Sequence, residues 1–413
     1  MEEKPNFKVL NFQKNSYIVL EGHQKADRFF IIQQGKVQIT KDVKVEGDTE
    51  GDRILTTGDF FGVVSTMSSH RHLESARAVT NVLVITVFQS QYDTLILRSA
   101  QIAIKIMAQF SKQLRTMNET LAKLTLHHAA DAGVEKLFFI AEYFFGKGQY
   151  NPAFHTYTQY LKYYPAGANV AEAKSKLEKT SALVKNINTC FDAAKMLRTY
   201  EKDVMIFAEG EPGDELFVIL KGSVKITRIA DNQEILLAVL KAGDIFGEMA
   251  LLENKPRVAS AIVYERCDVH VVNKANFEMM IHSHPQLITK VTTLLSERLW
   301  LVYKKFANTA IGNVYARAYD SLLIQLEKNR ISLESAASYT FTFGPQELFS
   351  MMGVREAEGN LMFKTMLGEK KISLENDKIH TFSVFELVKQ AVYYRKIDKM
   401  EKFKITIKNP IPV

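Results

Sequence analysis

The sequence predicts a multidomain α+β chain. Two copies of a small β-roll are each followed by a long helix, with a small helical insert between them and a C-terminal helix–turn–helix carrying a hairpin. Three observations lead there. At 413 residues the chain is longer than one hydrophobic core organises, so several domains are expected. A pattern of glycine turns and alternating apolar residues near the start recurs in the middle of the chain. Between and after these copies the apolar residues switch to helical spacing. The expected boundaries are 1–128 (first roll and helix), 129–186 (insert), 187–309 (second roll and long helix) and 310–413 (C-terminal domain).

Composition narrows the setting. Apolar content of 46% and charged content of 24% fit a soluble globular protein. No apolar run reaches the ~18–20 residues that span a bilayer, so no membrane partner is expected. The opening residues Met1 to Pro5 lack the basic and apolar parts of a secretory signal. Only Cys190 and Cys267 are present, which excludes a disulfide framework and points to a reducing, cytoplasmic setting. A formal charge of +7 admits an acidic partner such as nucleic acid, although many unrelated proteins share such a charge.

In chain order, Val19 to Ile39 gives a glycine-turn hairpin and strands, Gly58 to Gly62 a second turn, and Val79, Val82, Val84 and Ile85 the closing strands. Leu95, Ile96, Ile102, Ile106, Met107, Phe110, Leu114, Met117, Leu121 and Leu124 then form one stripe of a long helix. His127 and His128 at its end are adjacent and share no helix face, so they predict no metal site. Ile140, Ala141, Phe144, Ala153, Tyr157 and Pro165 surround a Lys147 to Gln149 turn and resemble a single tetratricopeptide repeat, with Ala171 to Leu183 as a third helix. One repeat cannot bury its own flanks, so the insert is expected to pack on a roll or a second subunit. A peptide-binding groove for a protein partner is the alternative.

The chemistry concentrates between Gly243 and Ser260. Gly247 allows a sharp turn. Met249, Ala250 and Leu251 would start a short helix with free N–H groups. Arg257 offers a planar fork to two phosphate oxygens, and Glu248 an acceptor for a sugar hydroxyl. The alternative is a plain strand–turn–strand with a surface arginine.

Position by position, Phe246-Gly-Glu248, the apolar run after it and Pro256-Arg-Val-Ala259 resemble the phosphate-binding cassette of cyclic nucleotide-binding domains. The hairpin from Phe207 to Phe217 and the strands from Val218 to Ile226 agree in order. The resemblance implies a cyclic nucleotide effector held by Gly247, Glu248, Met249, Ala250, Arg257, Val258 and Ala259, without a metal. In the first copy Val63 replaces the glutamate, Ser65 and Thr66 replace the Ala-Leu pair, and Ser68 to Ser75 fills the loop without a Pro-Arg-x-Ala. That copy is expected to be an empty structural or interaction module, with Arg71 or His72 left near a phosphate position.

After the second roll, Leu287, Val291, Leu294, Leu295, Leu299, Val302 and Phe306 stripe a helix through Asn308, and Val314, Arg317, Leu322 and Leu323 follow. This resembles the dimerisation helix of the Crp/Fnr regulators, which implies a homodimer; a helix buried within one subunit is the alternative. An ungapped match puts Tyr303 at the base, one turn after Trp300, with dimer core as the alternative for both. Val258 lacks the hydroxyl common in cGMP-selective sites, so cAMP is favoured over cGMP.

The last hundred residues resemble a winged helix: Pro345 to Gly353, a recognition helix from Arg355 to Leu367, a wing from Lys371 to Ile379 and a closing helix from Phe382 to Tyr394. With one residue deleted in the turn, Arg355, Glu356 and Asn360 would face double-stranded DNA, supported by Lys364 and Lys378. Without that deletion Glu356, Ala357 and Leu361 land there, and direct readout is largely lost. Phe349 stands where a small residue normally lets the two helices approach, so wider packing is expected. The resemblance implies a cyclic-nucleotide-responsive transcription regulator, with a signalling scaffold that has lost specific DNA binding as the alternative. Catalysis is not expected: the chain shows no nucleophile with a base, and His282 and His284 point to different helix faces.

Overall fold

The computed structural model describes residues 7–22, 26–41, 52–125, 135–184, 196–230, 232–253, 255–273, 277, 281 and 283–408. Cys190, His127, His128 and His282 lie outside them. The chain forms two compact units. One comprises residues 1–8, 87–116 and 128–296, and the other residues 9–86, 117–127 and 297–413.

The first roll, most of which lies in the second of these units, is two four-stranded sheets. One orders Lys8–Phe12, Val82–Phe88, Arg28–Gln34 and Phe60–Phe61; the other orders Tyr17–Val19, Ser75–Ala78, Val37–Thr40 and Arg53–Leu55. Strand alternation sends Phe30, Ile32, Val37, Ile39, Val82 and Val84 inward to a common core with Phe61, Ala76 and Ala78. Phe30 pairs with Phe61 across two strands, and their rings stack at 5.0 Å.

The same unit holds the end of the helix Pro285–Thr309, the helix Val314–Lys328 and the C-terminal elements. Asn313 caps Val314–Lys328, its side chain accepting from the Ala316 N–H at 3.1 Å. Helices Pro345–Met352 and Glu356–Gly368 meet across a turn at Gly353, whose φ is 66°. The hairpin Ile372–Glu375/Lys378–Thr381 turns on Asn376 and Asp377, both with positive φ, as a tight two-residue turn requires. A core of Leu322, Phe341, Leu348, Phe349, Met366 and Leu387 joins these parts.

The Phe349 ring packs directly on Gly359 of the following helix. Gly359 on the following helix supplies the close approach, since a Cβ there would lie 2.6 Å from the Phe349 ring. The small residue sits on the opposite helix from the one where the sequence pattern seeks it.

In the other unit the second roll is built on Glu215–Ala230, which pairs with Ser260–Asn273, Gln233–Lys241 and Ile245–Phe246; Met205–Phe207 and Leu197–Tyr200 extend Ser260–Asn273. Phe217 pairs with Phe246 and their rings stack at 5.0 Å, repeating the first roll. The insert is three helices, Lys136–Gly146, Tyr150–Tyr163 and Val170–Ser181, with Gly148 (φ 70°) in the first turn. It docks on this roll: Phe138, Ile140, Phe144, Tyr157 and Tyr160 share a core with Met205, Ala208 and Ile262. Polar contacts fix that dock, with Lys136 Nζ 2.8 Å from Glu209 and His155 Nε2 2.9 Å from Glu211.

Of the stripe read as a dimer seam, Val291, Leu295, Leu299 and Phe306 are buried within one chain, and Leu287, Leu294 and Val302 are half-buried. No helix among the described residues is long and apolar enough to cross a membrane.

Candidate anion site of the second roll

The site begins with backbone shape. Gly247 takes φ 80°, and a Cβ there would stand 2.8 Å from the Arg257 guanidinium and 3.1 Å from the Glu215 carbonyl. Gly213, in the hairpin opposite, is tighter still: its Cβ would meet Arg257 Nε at 2.2 Å. Two glycines therefore hollow out the space that one arginine fills.

Arg257 is held from both sides. Its N–H donates to the Glu211 carbonyl at 2.8 Å and its own carbonyl accepts from the Gly210 N–H at 2.9 Å. Nη1 donates to the carbonyls of Glu215 and Gly247, each at 2.7 Å. The guanidinium lies 4.2 Å over the Phe207 ring, a cation–π contact that orients the fork. Among the described residues, Nε is buried without a hydrogen-bond partner. A buried, unsatisfied donor on a charged group carries a desolvation penalty that an anion would relieve.

Electrostatics agree. Burial works against the Arg257 charge and pulls its pKa down, while Glu211, Glu215, Glu248 and Asp214 oppose that shift. Glu215 is itself paired to Arg198 through two contacts of 2.6 and 2.9 Å. Glu211 receives the Ala208 N–H at 2.9 Å as well as His155. Two of these four carboxylates, Glu211 and Glu215, are thus tied down by other donors.

Glu248 opens the short helix Glu248–Glu253 and is buried, as are Met249, Ala250 and Ala259. Val258 is 39% exposed and stands out from this set. Of the expected site residues, Gly247 and Arg257 are in direct contact, and Glu248, Met249, Ala250 and Ala259 are buried next to them in the chain. Tyr303 belongs to the unit of the first roll, where the Lys41 ammonium sits 4.6 Å over its ring.

The helix that does reach this cassette is Ala100–Thr125, from after the first roll. Arg115 Nε donates to Glu253 at 2.9 Å, and Ser111 Oγ donates to the other Glu253 oxygen at 2.7 Å. Periodicity along that helix marks its apolar stripe and is silent on such a long-range polar pair. Gly213 lay within the recognised hairpin but carried no local signal of what it would face.

The proposed DNA-facing residues Arg355, Glu356, Asn360, Lys364 and Lys378 are all exposed. Arg355 is the N-cap position of Glu356–Gly368, so it precedes the helix. Glu356 is engaged by Gln346 Nε2 at 3.0 Å, and Leu361 is 71% exposed on the same helix. No group of three His, Cys, Asp or Glu side chains that could hold a metal ion occurs among the described residues.

Comparison with known proteins fits this geometry. The cyclic nucleotide-binding domain model matches residues 9–99 and 197–284, so the chain carries that domain twice. A CRP-like cAMP-activated global transcriptional regulator of Mycobacterium tuberculosis is 26% identical over 175 residues, covering 42% of this chain and 78% of that protein. The cAMP-activated global transcriptional regulator CRP of Salmonella typhimurium is 25% identical over 169 residues, covering 40% and 80%. Among solved structures, the c-di-GMP responsive global regulator CLP of Xanthomonas campestris shares 18% identity over 46% of this chain and 95% of its own, at a TM-score of 0.34, too loose a likeness to carry an argument.

Proposed function

We propose that the chain is a cyclic-nucleotide-responsive regulator of transcription, with cAMP as the preferred effector in the second roll and double-stranded DNA as the target of the C-terminal helix Glu356–Gly368. The observation that carries this reading is Arg257: a buried guanidinium over Phe207, with an unsatisfied Nε, between two glycines and beside Glu248. Arg257 would take the cyclic phosphate and Glu248 a ribose hydroxyl. No step requires a metal, and the site offers binding chemistry only.

The response has a route within the chain. The helix Pro285–Thr309 begins in the unit that holds the cassette and ends in the unit that holds the C-terminal helices. A ligand shifts such a helix only through its difference in affinity between two states, and roughly 5.5 kcal/mol of difference is needed to turn a 1:99 population into 99:1.

The scaffold reading has its own support in the exposed face of Glu356–Gly368. Glu356 and Glu358 oppose a phosphate backbone, and exposed Leu361 suits a protein partner better than a base edge. Calorimetric titration with cAMP and cGMP, followed by DNA retardation with and without the bound nucleotide, tests both. The regulator reading expects cAMP to bind more tightly than cGMP and a DNA fragment to be retarded only with nucleotide. Binding without any retardation leaves the scaffold, and absence of binding removes both.

A further inference from the structure

The loop that delivers Arg257 is held by a residue outside the roll. Glu253 ends the cassette helix and Pro256 immediately precedes Arg257. Arg115 reaches both: Nε donates to Glu253 at 2.9 Å, and Nη1 and Nη2 each donate to the Pro256 carbonyl at 3.3 Å. Ser111, one helical turn earlier and fully buried, donates to the second Glu253 oxygen at 2.7 Å. The Arg115 and Glu253 side chains are 12% and 5% exposed, so the pair is largely shielded from water and salt.

We infer that Arg115, with Ser111, is a positioning residue for the second roll's ligand site, so that the helix following the first roll completes the site of the second within one chain. This rests on the cyclic-nucleotide reading above and deepens it. The argument is geometric. Arg257 has its backbone pinned to the Gly210–Glu211 hairpin, but the peptide before it is fixed by Arg115. A guanidinium that bridges a helix-end carboxylate and the next loop's carbonyl sets the entry angle of the arginine that follows. Residue 115 lies outside both stretches matched by the domain model, so the contact belongs to this chain's tandem arrangement. The ligand affinity of the second roll then depends on the helix of a roll that has lost its own glutamate and arginine.

Full-length chain tests this with two independent readouts. In fluorescence titration with a labelled cAMP, Arg115→Ala should weaken binding about ten-fold and Arg115→Lys should recover part of it, since an ammonium keeps the charge but not the fork. Without any ligand, amide exchange in peptides covering 253–258 should accelerate about ten-fold in Arg115→Ala, while the core strand 216–224 keeps its protection. Glu253→Gln, which preserves shape, should move both readouts in the same direction by a smaller factor and substitutes if Arg115→Ala folds poorly. Unchanged exchange in 253–258 with unchanged affinity overturns the inference. If wild type binds no cyclic nucleotide, the functional reading fails, and the exchange experiment still decides whether Arg115 positions the loop.

Discussion

The two rolls share a frame down to individual atoms and differ in the groups that line it. Gly62 and Gly247 take φ of 79° and 80°. Ten residues later stand His72 and Arg257, whose carbonyls accept from the N–H of Gly22 and Gly210, each at 2.9 Å. Phe30–Phe61 and Phe217–Phe246 stack at the same 5.0 Å and 17°. Yet Val63 stands where the second roll has Glu248, and an imidazole replaces the guanidinium. Glycine turns and apolar alternation specify the roll whether or not it binds anything; two side chains carry the ligand chemistry.

The loops before those two positions are held in parallel ways. In the second roll Arg115 and Ser111 grip Glu253 and Pro256. In the first, Arg330 donates to the Ser68 carbonyl at 2.7 Å and meets His70 Nε2 at 3.0 Å, while the Trp300 ring stacks on His70 at 3.6 Å. Each cassette loop thus has an arginine from beyond its own roll. The second loop ends on the Arg257 guanidinium and the first on the His72 imidazole; among the described residues Nε of the one and Nδ1 of the other are both buried without a hydrogen-bond partner, so the two loops differ in the charge they offer.

The largest expected effect is on binding. Arg257→Ala should weaken cAMP binding by at least about 100-fold, as loss of a charge-assisted phosphate contact implies, whereas His72→Ala should leave affinity within about two-fold. Calorimetry on both variants checks this, and equal losses would mean that the first roll also binds. Next, Trp300→Ala should destabilise the unit of the first roll by about 3–5 kcal/mol in denaturant unfolding, the range for a buried tryptophan, without altering cAMP affinity. A change in affinity would break the separation of roles.

A smaller effect is expected from the glycines. Gly213→Ala drives a methyl into Arg257 and should cost about ten-fold in affinity, with little change elsewhere. Gly22→Ala, where nothing lies within 4 Å but φ is 73°, should cost about 1–2 kcal/mol of stability and no affinity. Thermal melts beside titrations separate the two.

The subtlest test uses pH. Burial holds the His72 imidazole below its ordinary value of 6.5, against the opposing pull of Glu74 and Asp27. The unfolded chain therefore takes up the proton before the native one does. This contribution to stability is complete above 6.5 and is lost as pH falls through the window beneath it. The thermal midpoint should drop on acidification from about pH 7.5 to about pH 5.5, and His72→Gln should flatten part of that slope. A slope unchanged by the substitution would place the titration elsewhere.

The amino-acid sequence by itself determined the repeated roll, the cassette from Gly247 to Ala259 and the order of helices around them, because these rest on short-range rules: glycine at positive φ, strand alternation and helical spacing. Tertiary structure alone decided that the helix Ala100–Thr125 contacts the end of the second roll's cassette helix. Arg115 and Glu253 lie 138 residues apart in sequence, and Lys41 and Tyr303 are farther apart still. It also decided that Gly359 relieves Phe349, since a close approach is shared by two helices and either can supply the missing side chain. A contact between distant segments leaves no periodicity along the chain, because its partner is chosen by packing and not by spacing.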